Sequence, residues 1–197
     1  RWVMNESMAK IFTLPNVLSL LRLLMIPLIV VMMLHVSDAL FPCLLFTYVF
    51  TVSLDFLDGY FARKFSQETE LGRVIDPLAD KVLVLAILIT LTARFGFPLW
   101  LAAFIILRDL LILWASILLY RGKRIVKPSL VVGKITFALL SLLIFVFIVD
   151  LHERIELIAV KQFLIALTFS FLLWSWLAYF LVYVREKNGK QANHPDR

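Results

Sequence analysis

Between Asp55 and Asp80 the chain reads DFLDGYFARKFSQETELGRVIDPLAD, which sets four aspartates into surroundings that are otherwise apolar. Asp55 and Asp58 have i,i+3 spacing and Asp76 and Asp80 have i,i+4 spacing, so on helices each pair shares one face. Both pairs sit at the ends of apolar runs long enough to cross a bilayer. A carboxylate inside a membrane costs roughly 2.5–3.5 kcal/mol on insertion scales, so four of them on adjacent segments call for a neutralising cation. Ligands that are all oxygen suit a hard divalent ion, Mg²⁺ first and Mn²⁺ next, and no cysteine or histidine stands near the stretch to favour zinc.

The spacing is more specific than the composition. Written out, it is Asp55-x2-Asp58-Gly59-x2-Ala62-Arg63-x8-Gly72-x3-Asp76-x3-Asp80, and at all eight of these positions the chain resembles the CDP-alcohol phosphotransferase family. The resemblance implies transfer of a phosphatidyl group from CDP-diacylglycerol to an alcohol, with release of CMP. It also implies an all-α membrane fold, a homodimer, and CDP contacts from Asp55, Asp58, Gly59, Ala62, Arg63 and Gly72. A pyrophosphate donor needs its charge balanced by metal, and the leaving CMP must be stabilised as negative charge builds on its phosphate. We therefore expect Mg²⁺ or Mn²⁺, as two ions, with Asp55, Asp58 and Asp76 as ligands and Asp80 shared between metal and acceptor hydroxyl. One acid must also take a proton. The residues alone do not separate Asp80 from Asp76 here, and the family resemblance assigns the role to Asp80. Gly59 and Gly72 lack a Cβ and let a nucleotide approach the backbone, although small residues at this spacing also let membrane helices pack closely. Arg63 either snorkels at the interface or pairs with a donor phosphate, and its place in the signature favours the phosphate.

Three cationic features lie outside the signature. Asn16 and Arg22 stand in LPNVLSLLRLLMIP, similar to the family's opening segment, and Arg22 is too deep in the run to be a simple anchor. Arg108-Asp109 interrupts FIILRDLLILW, and Lys134 follows Gly133 in VVGKITFALL. Arg108 and Lys134 are expected to bind the acceptor by neutralising a phosphate on it, around one polar cavity. The plainer alternative for Arg108-Asp109 is a self-satisfied ion pair.

The elements that must hold these residues are membrane helices. Of the 197 residues 62% are hydrophobic, far above the roughly 45–50% of soluble domains. Six apolar segments are long enough to span, at about 17–36, 40–61, 74–93, 98–120, 129–149 and 157–184. We read residues 1–15 as an interfacial helix, 16–185 as one six-helix domain, and 186–197 as a polar, frayed tail. No cleavable signal sequence is expected. A formal charge of +6 raises the possibility of nucleic acid, but the basic residues cluster at the ends of apolar runs, where anionic lipid headgroups are the natural partner. Lysines and arginines concentrate before the first span, between the second and third, between the fourth and fifth, and after the sixth. That distribution puts both termini and the aspartate stretch on the cytoplasmic side of a bacterial plasma membrane. Cys43 lies alone in an apolar run, and His35, His152 and His194 fall in loops or the tail, where no metal or catalytic role is expected.

Two other function classes compete. A divalent-cation transporter has use for four acids but not for the Gly59, Ala62, Arg63 and Gly72 pattern, and its motifs more often recur in paired halves. An intramembrane prenyltransferase typically carries more spans and two separated aspartate motifs. Among acceptors, TLPNVLSLLR, DPLADK and GKIT resemble the phosphatidylglycerophosphate synthases, which use glycerol 3-phosphate. Asp109 where those enzymes usually carry Glu, Thr136 where they carry a second lysine, and the KPS before the fifth span are closer to cardiolipin synthases, which use phosphatidylglycerol.

Overall fold

The computed structural model describes residues 14–65, 72–121, 131–152 and 157–192, and among them every regular element is an α-helix. In chain order these are α1 (Leu14–Leu34), α2 (Phe41–Phe65), α3 (Gly72–Arg94), α4 (Leu99–Arg121), α5 (Val131–Asp150) and α6 (Ile158–Ala192). Each coincides with one of the six expected segments. Three stretches are long and apolar enough to cross a membrane among the described residues: Val17–Leu34, Val131–Asp150 and Ile158–Ala178.

Helix α6 runs past its expected segment, and α1 opens close to the start of its own. Helix α1 begins at Leu14, so Pro15 sits in its first turn, where the missing N–H has no intrahelical partner to lose. The rest of the expected interfacial segment, residues 1–13, lies outside the described residues. At the other end the stretch read as a frayed tail is helical through Ala192. Beyond the apolar run, Glu186, Lys187, Lys190, Gln191 and Ala192 are good helix formers and Asn188 and Gly189 poor ones, and Glu186 and Lys190 have the i,i+4 spacing of a supporting pair. Residues 193–197 lie outside the described part.

Helix α1 shows what solvent these helices face. Its buried row is Ser19, Arg22, Ile26, Ile29 and Met33, whereas Val17, Leu20, Leu24, Leu28, Val31 and Leu34 form an exposed row. The polar residues are inside and the outward row is wholly aliphatic, the reverse of a water-soluble helix. Exposed Phe46, Ile89, Leu99, Phe163 and Trp174 continue the pattern on other helices. Contiguous apolar surface on this scale is suited to lipid, and the chain is a membrane protein.

The chain divides into two compact units. The first comprises residues 1–102 and 147–156, so it holds α1, α2, α3, the start of α4 and the end of α5. Within it α1 packs against both α2 and α3. Its core includes Leu44, Tyr48 and Leu54 from α2 and Leu83, Ile87, Leu88 and Leu91 from α3. After α3 the chain reverses at Gly96, whose φ of 68° is in the left-handed region that glycine enters without penalty. The Leu91 carbonyl accepts from both the Phe95 and the Phe97 N–H, at 2.9 and 3.3 Å. Phe97 then packs on Phe147 of α5, ring centres 4.8 Å apart. His152, just past α5, meets the α1–α2 connection: its Nε2 lies 3.3 Å from Asp38 Oδ1 and its ring stands edge-on to Phe41 at 4.4 Å.

The second unit comprises residues 103–146 and 157–197, which includes most of α4 and α5 together with α6. Leu140, Leu143 and Ile144 of α5 and Leu164 and Leu172 of α6 are buried. Phe104 meets Phe169 edge-on at 5.6 Å.

Candidate active site

The signature residues fall on two helices of the first unit. Asp55, Asp58, Gly59, Ala62 and Arg63 belong to α2, and Gly72, Asp76 and Asp80 to α3. The side chains of the four aspartates and of Gly59, Ala62, Arg63 and Gly72 lie outside the described residues, so their positions rest on backbone register. On α2 the buried row runs Leu44, Thr47, Tyr48, Thr51 and Leu54, and positions 55 and 58 are its next steps at helical spacing. On α3 the buried row is Leu83, Val84, Ile87, Leu88 and Leu91, and positions 80 and 76 extend it toward the helix start. Asp55 is about 15 Å before the end of α2, and Asp76 and Asp80 are about 6 and 12 Å into α3, at 1.5 Å per residue. Both pairs therefore occupy the end of the unit where α2 gives way to α3.

Helix α1, packed on both, carries the fully buried Arg22 at 0% exposure. Arg22 lies about 18 Å back from the end of α1, and Asp55 about 21 Å beyond the start of α2, so the two positions are at similar depth across the α1–α2 hairpin. Asn16, six positions before Arg22, is also on α1, and its side chain lies outside the described residues.

Arg108 and Lys134 belong to the second unit, and they occupy different environments. Arg108 is buried, with Nη1 donating to Asp109 Oδ1 at 2.8 Å and Nη2 donating to Ser175 Oγ at 3.0 Å. The neighbouring ion pair is therefore formed, while the guanidinium also reaches across to α6. Lys134 is exposed. The α5 residue that joins the buried polar layer is instead Thr136, whose hydroxyl donates to the Val132 carbonyl at 2.8 Å and approaches the Phe171 carbonyl of α6 at 3.3 Å.

Sequence reasoning missed Ser175 and Thr168, both 0% exposed. Their signal was a pair of hydroxyls two turns apart on one face of an aromatic and aliphatic run, the arrangement by which polar residues join membrane helices. The Trp176 indole N–H is buried without a hydrogen-bond partner. Trp100 and Trp174 are exposed.

The family model of the CDP-alcohol phosphatidyltransferases matches residues 12–183 of this chain. The chain belongs to that family. Three relatives show what the chain is similar to. A CDP-diacylglycerol–glycerol-3-phosphate 3-phosphatidyltransferase of Aquifex aeolicus is 35% identical over 170 residues, covering 85% of this chain and 93% of the relative. A protein of the same name from Bacillus subtilis is 32% identical over 63% of this chain and 70% of its own length. A cardiolipin synthase (CMP-forming)/mitochondrial hydrolase fusion protein of Schizosaccharomyces pombe is 44% identical over 57% of this chain, which is 18% of that longer protein. Family membership makes the chain a phosphatidyltransferase, and the matched range takes in the whole aspartate signature, Arg22 and Arg108.

Proposed function

We propose that this chain transfers the phosphatidyl group of CDP-diacylglycerol to glycerol 3-phosphate, releasing CMP and forming phosphatidylglycerophosphate. The observation that carries the reading is the aspartate signature, in register with the buried rows of two helices that a third, arginine-bearing helix packs against. The relative whose name states this reaction covers most of the chain, which favours this acceptor over others.

The donor set fits a hard divalent ion, because four carboxylates at one end of α2 and α3 offer only oxygen. Asp55, Asp58, Asp76 and Asp80 would hold Mg²⁺ or Mn²⁺, as two ions. When bound, the metal balances the donor's pyrophosphate charge and stabilises the negative charge that builds on CMP. Asp80 accepts the proton of the acceptor hydroxyl as its oxygen attacks the phosphorus. Gly59, Ala62 and Gly72 leave room for the cytidine nucleotide, and Arg63 and Arg22 answer its phosphates. Arg108 and Lys134 bind the acceptor's own phosphate. All six helices span the bilayer, the aspartates open to the cytoplasmic side where CMP is released, and the enzyme works as a homodimer.

The second reading, cardiolipin synthesis with phosphatidylglycerol as acceptor, draws on Asp109 and on Thr136, a buried hydroxyl in place of a lysine. The deciding experiment incubates the purified protein with CDP-diacylglycerol, Mg²⁺ and a panel of acceptors, and identifies the lipid product by mass. Phosphatidylglycerophosphate formed with glycerol 3-phosphate is expected. A product formed only with phosphatidylglycerol would replace the first reading by the second.

A further inference from the structure

Among the described residues most membrane hydroxyls turn back onto their own helix. Thr47, Thr51, Ser53, Thr90, Ser141 and Ser170 each donate to the carbonyl four residues earlier. Such bonds satisfy the hydroxyl locally and ask nothing of a neighbour. Ser175 differs. Its Oγ accepts from Arg108 Nη2, and the carbonyl one turn before it, that of Phe171, is approached by Thr136 from α5. One turn of α6 thus receives a cation from α4 and a hydroxyl from α5, all within the second unit.

The consequence falls on the guanidinium. Of its five N–H donors, one is fixed by Asp109 and one by Ser175 from a different helix, so the plane of the group is held from two directions. Nε is buried and has no hydrogen-bond partner. A buried donor of a charged group left without an acceptor is unfavourable, so the guanidinium keeps hydrogen-bonding capacity that Asp109 and Ser175 do not use. We infer that Ser175 is a positioning residue, which fixes the Arg108 guanidinium so that its remaining N–H groups meet an anionic phosphate oxygen of the acceptor. The inference rests on the reading of Arg108 as an acceptor-binding residue and adds the residue that orients it. Glycerol 3-phosphate and phosphatidylglycerol both present such an oxygen, and the two are separated by which one the wild-type enzyme uses.

The test compares Ser175→Ala, Ser175→Cys and Ser170→Ala with wild type in detergent–CDP-diacylglycerol mixed micelles, after size-exclusion chromatography confirms a folded protein. Losing a hydrogen bond to a charged group should raise the acceptor KM roughly tenfold in Ser175→Ala, with the donor KM nearly unchanged. Ser175→Cys, with a weaker acceptor of similar size, should fall between Ser175→Ala and wild type. Ser170→Ala, which loses only an exposed bond to the Ala166 carbonyl, should match wild type. A lower melting temperature with an unchanged acceptor KM would make Ser175 a packing residue and overturn the inference. So would equal rises in donor and acceptor KM. Should Ser175→Ala fail to fold, the KM comparison of Ser175→Cys decides by the same criteria. If wild type accepts phosphatidylglycerol and ignores glycerol 3-phosphate, the acceptor reading falls, and the same comparison made with that lipid still decides the role of Ser175.

Discussion

Arg22 offers a sharp test of the proposed donor site. It is fully buried on the helix that packs against both aspartate-bearing helices, and its depth along α1 matches that of Asp55 along α2 to within about 3 Å. A buried arginine in a membrane helix is costly unless its charge is used, and here the proposed use is the donor pyrophosphate. Arg22→Met keeps an unbranched apolar stem of similar length and removes the charge. A charge-assisted hydrogen bond contributes about 1.5–3 kcal/mol. At about 1.4 kcal/mol per tenfold, the donor KM should rise by roughly one to two orders of magnitude. Arg22→Lys, which retains charge without the planar fork, should show a smaller rise. The acceptor KM should stay near the wild-type value, and metal affinity should not weaken, because removing a cation leaves the carboxylates no less negative. The assay measures initial rates over the surface fraction of CDP-diacylglycerol in mixed micelles at saturating acceptor, alongside thermal unfolding of the detergent-solubilised protein. An unchanged donor KM accompanied by a lower melting temperature would refute the reasoning and leave Arg22 a structural counter-charge.

Three further outcomes follow from the site. Exhaustive chelation should abolish turnover and added Mg²⁺ or Mn²⁺ should restore it; full activity after chelation would remove the metal from the reaction. Asp80→Asn should retain much of the metal and donor binding yet lose turnover, since the amide keeps an oxygen but cannot accept the hydroxyl proton, whereas Asp55→Asn, Asp58→Asn and Asp76→Asn should weaken metal binding itself. Equal loss of CDP-diacylglycerol affinity in all four variants would leave Asp80 without a separate role. Lys134→Met should raise the acceptor KM about tenfold or more with little change in stability, because Lys134 is exposed. An unchanged acceptor KM would take Lys134 out of the site.

The helices and the family signature were legible in the chain because both are local. A backbone in lipid must satisfy its own hydrogen bonds, so long apolar runs favour helix: among the described residues each of the six expected segments holds a helix, and three stretches are long and apolar enough to cross a membrane. The aspartate spacing was equally legible, since i,i+3 and i,i+4 positions share a face on any helix that contains them. Helix ends were less so: α6 continues to Ala192, past the end of its apolar run, and hydropathy does not register helix formation by polar residues. What only the tertiary structure decided is the surroundings of each cation. In the sequence Arg108 and Lys134 were both candidates for an acceptor phosphate, with an ion pair to Asp109 as the plainer alternative for Arg108. Packing buries one against Asp109 and Ser175 and leaves the other exposed. Ser175 stands 67 residues from Arg108, and no periodicity of either helix encodes their meeting. It depends on how α4 and α6 rotate about their own axes, and that rotation is set by the fit of side chains from helices far apart in the chain.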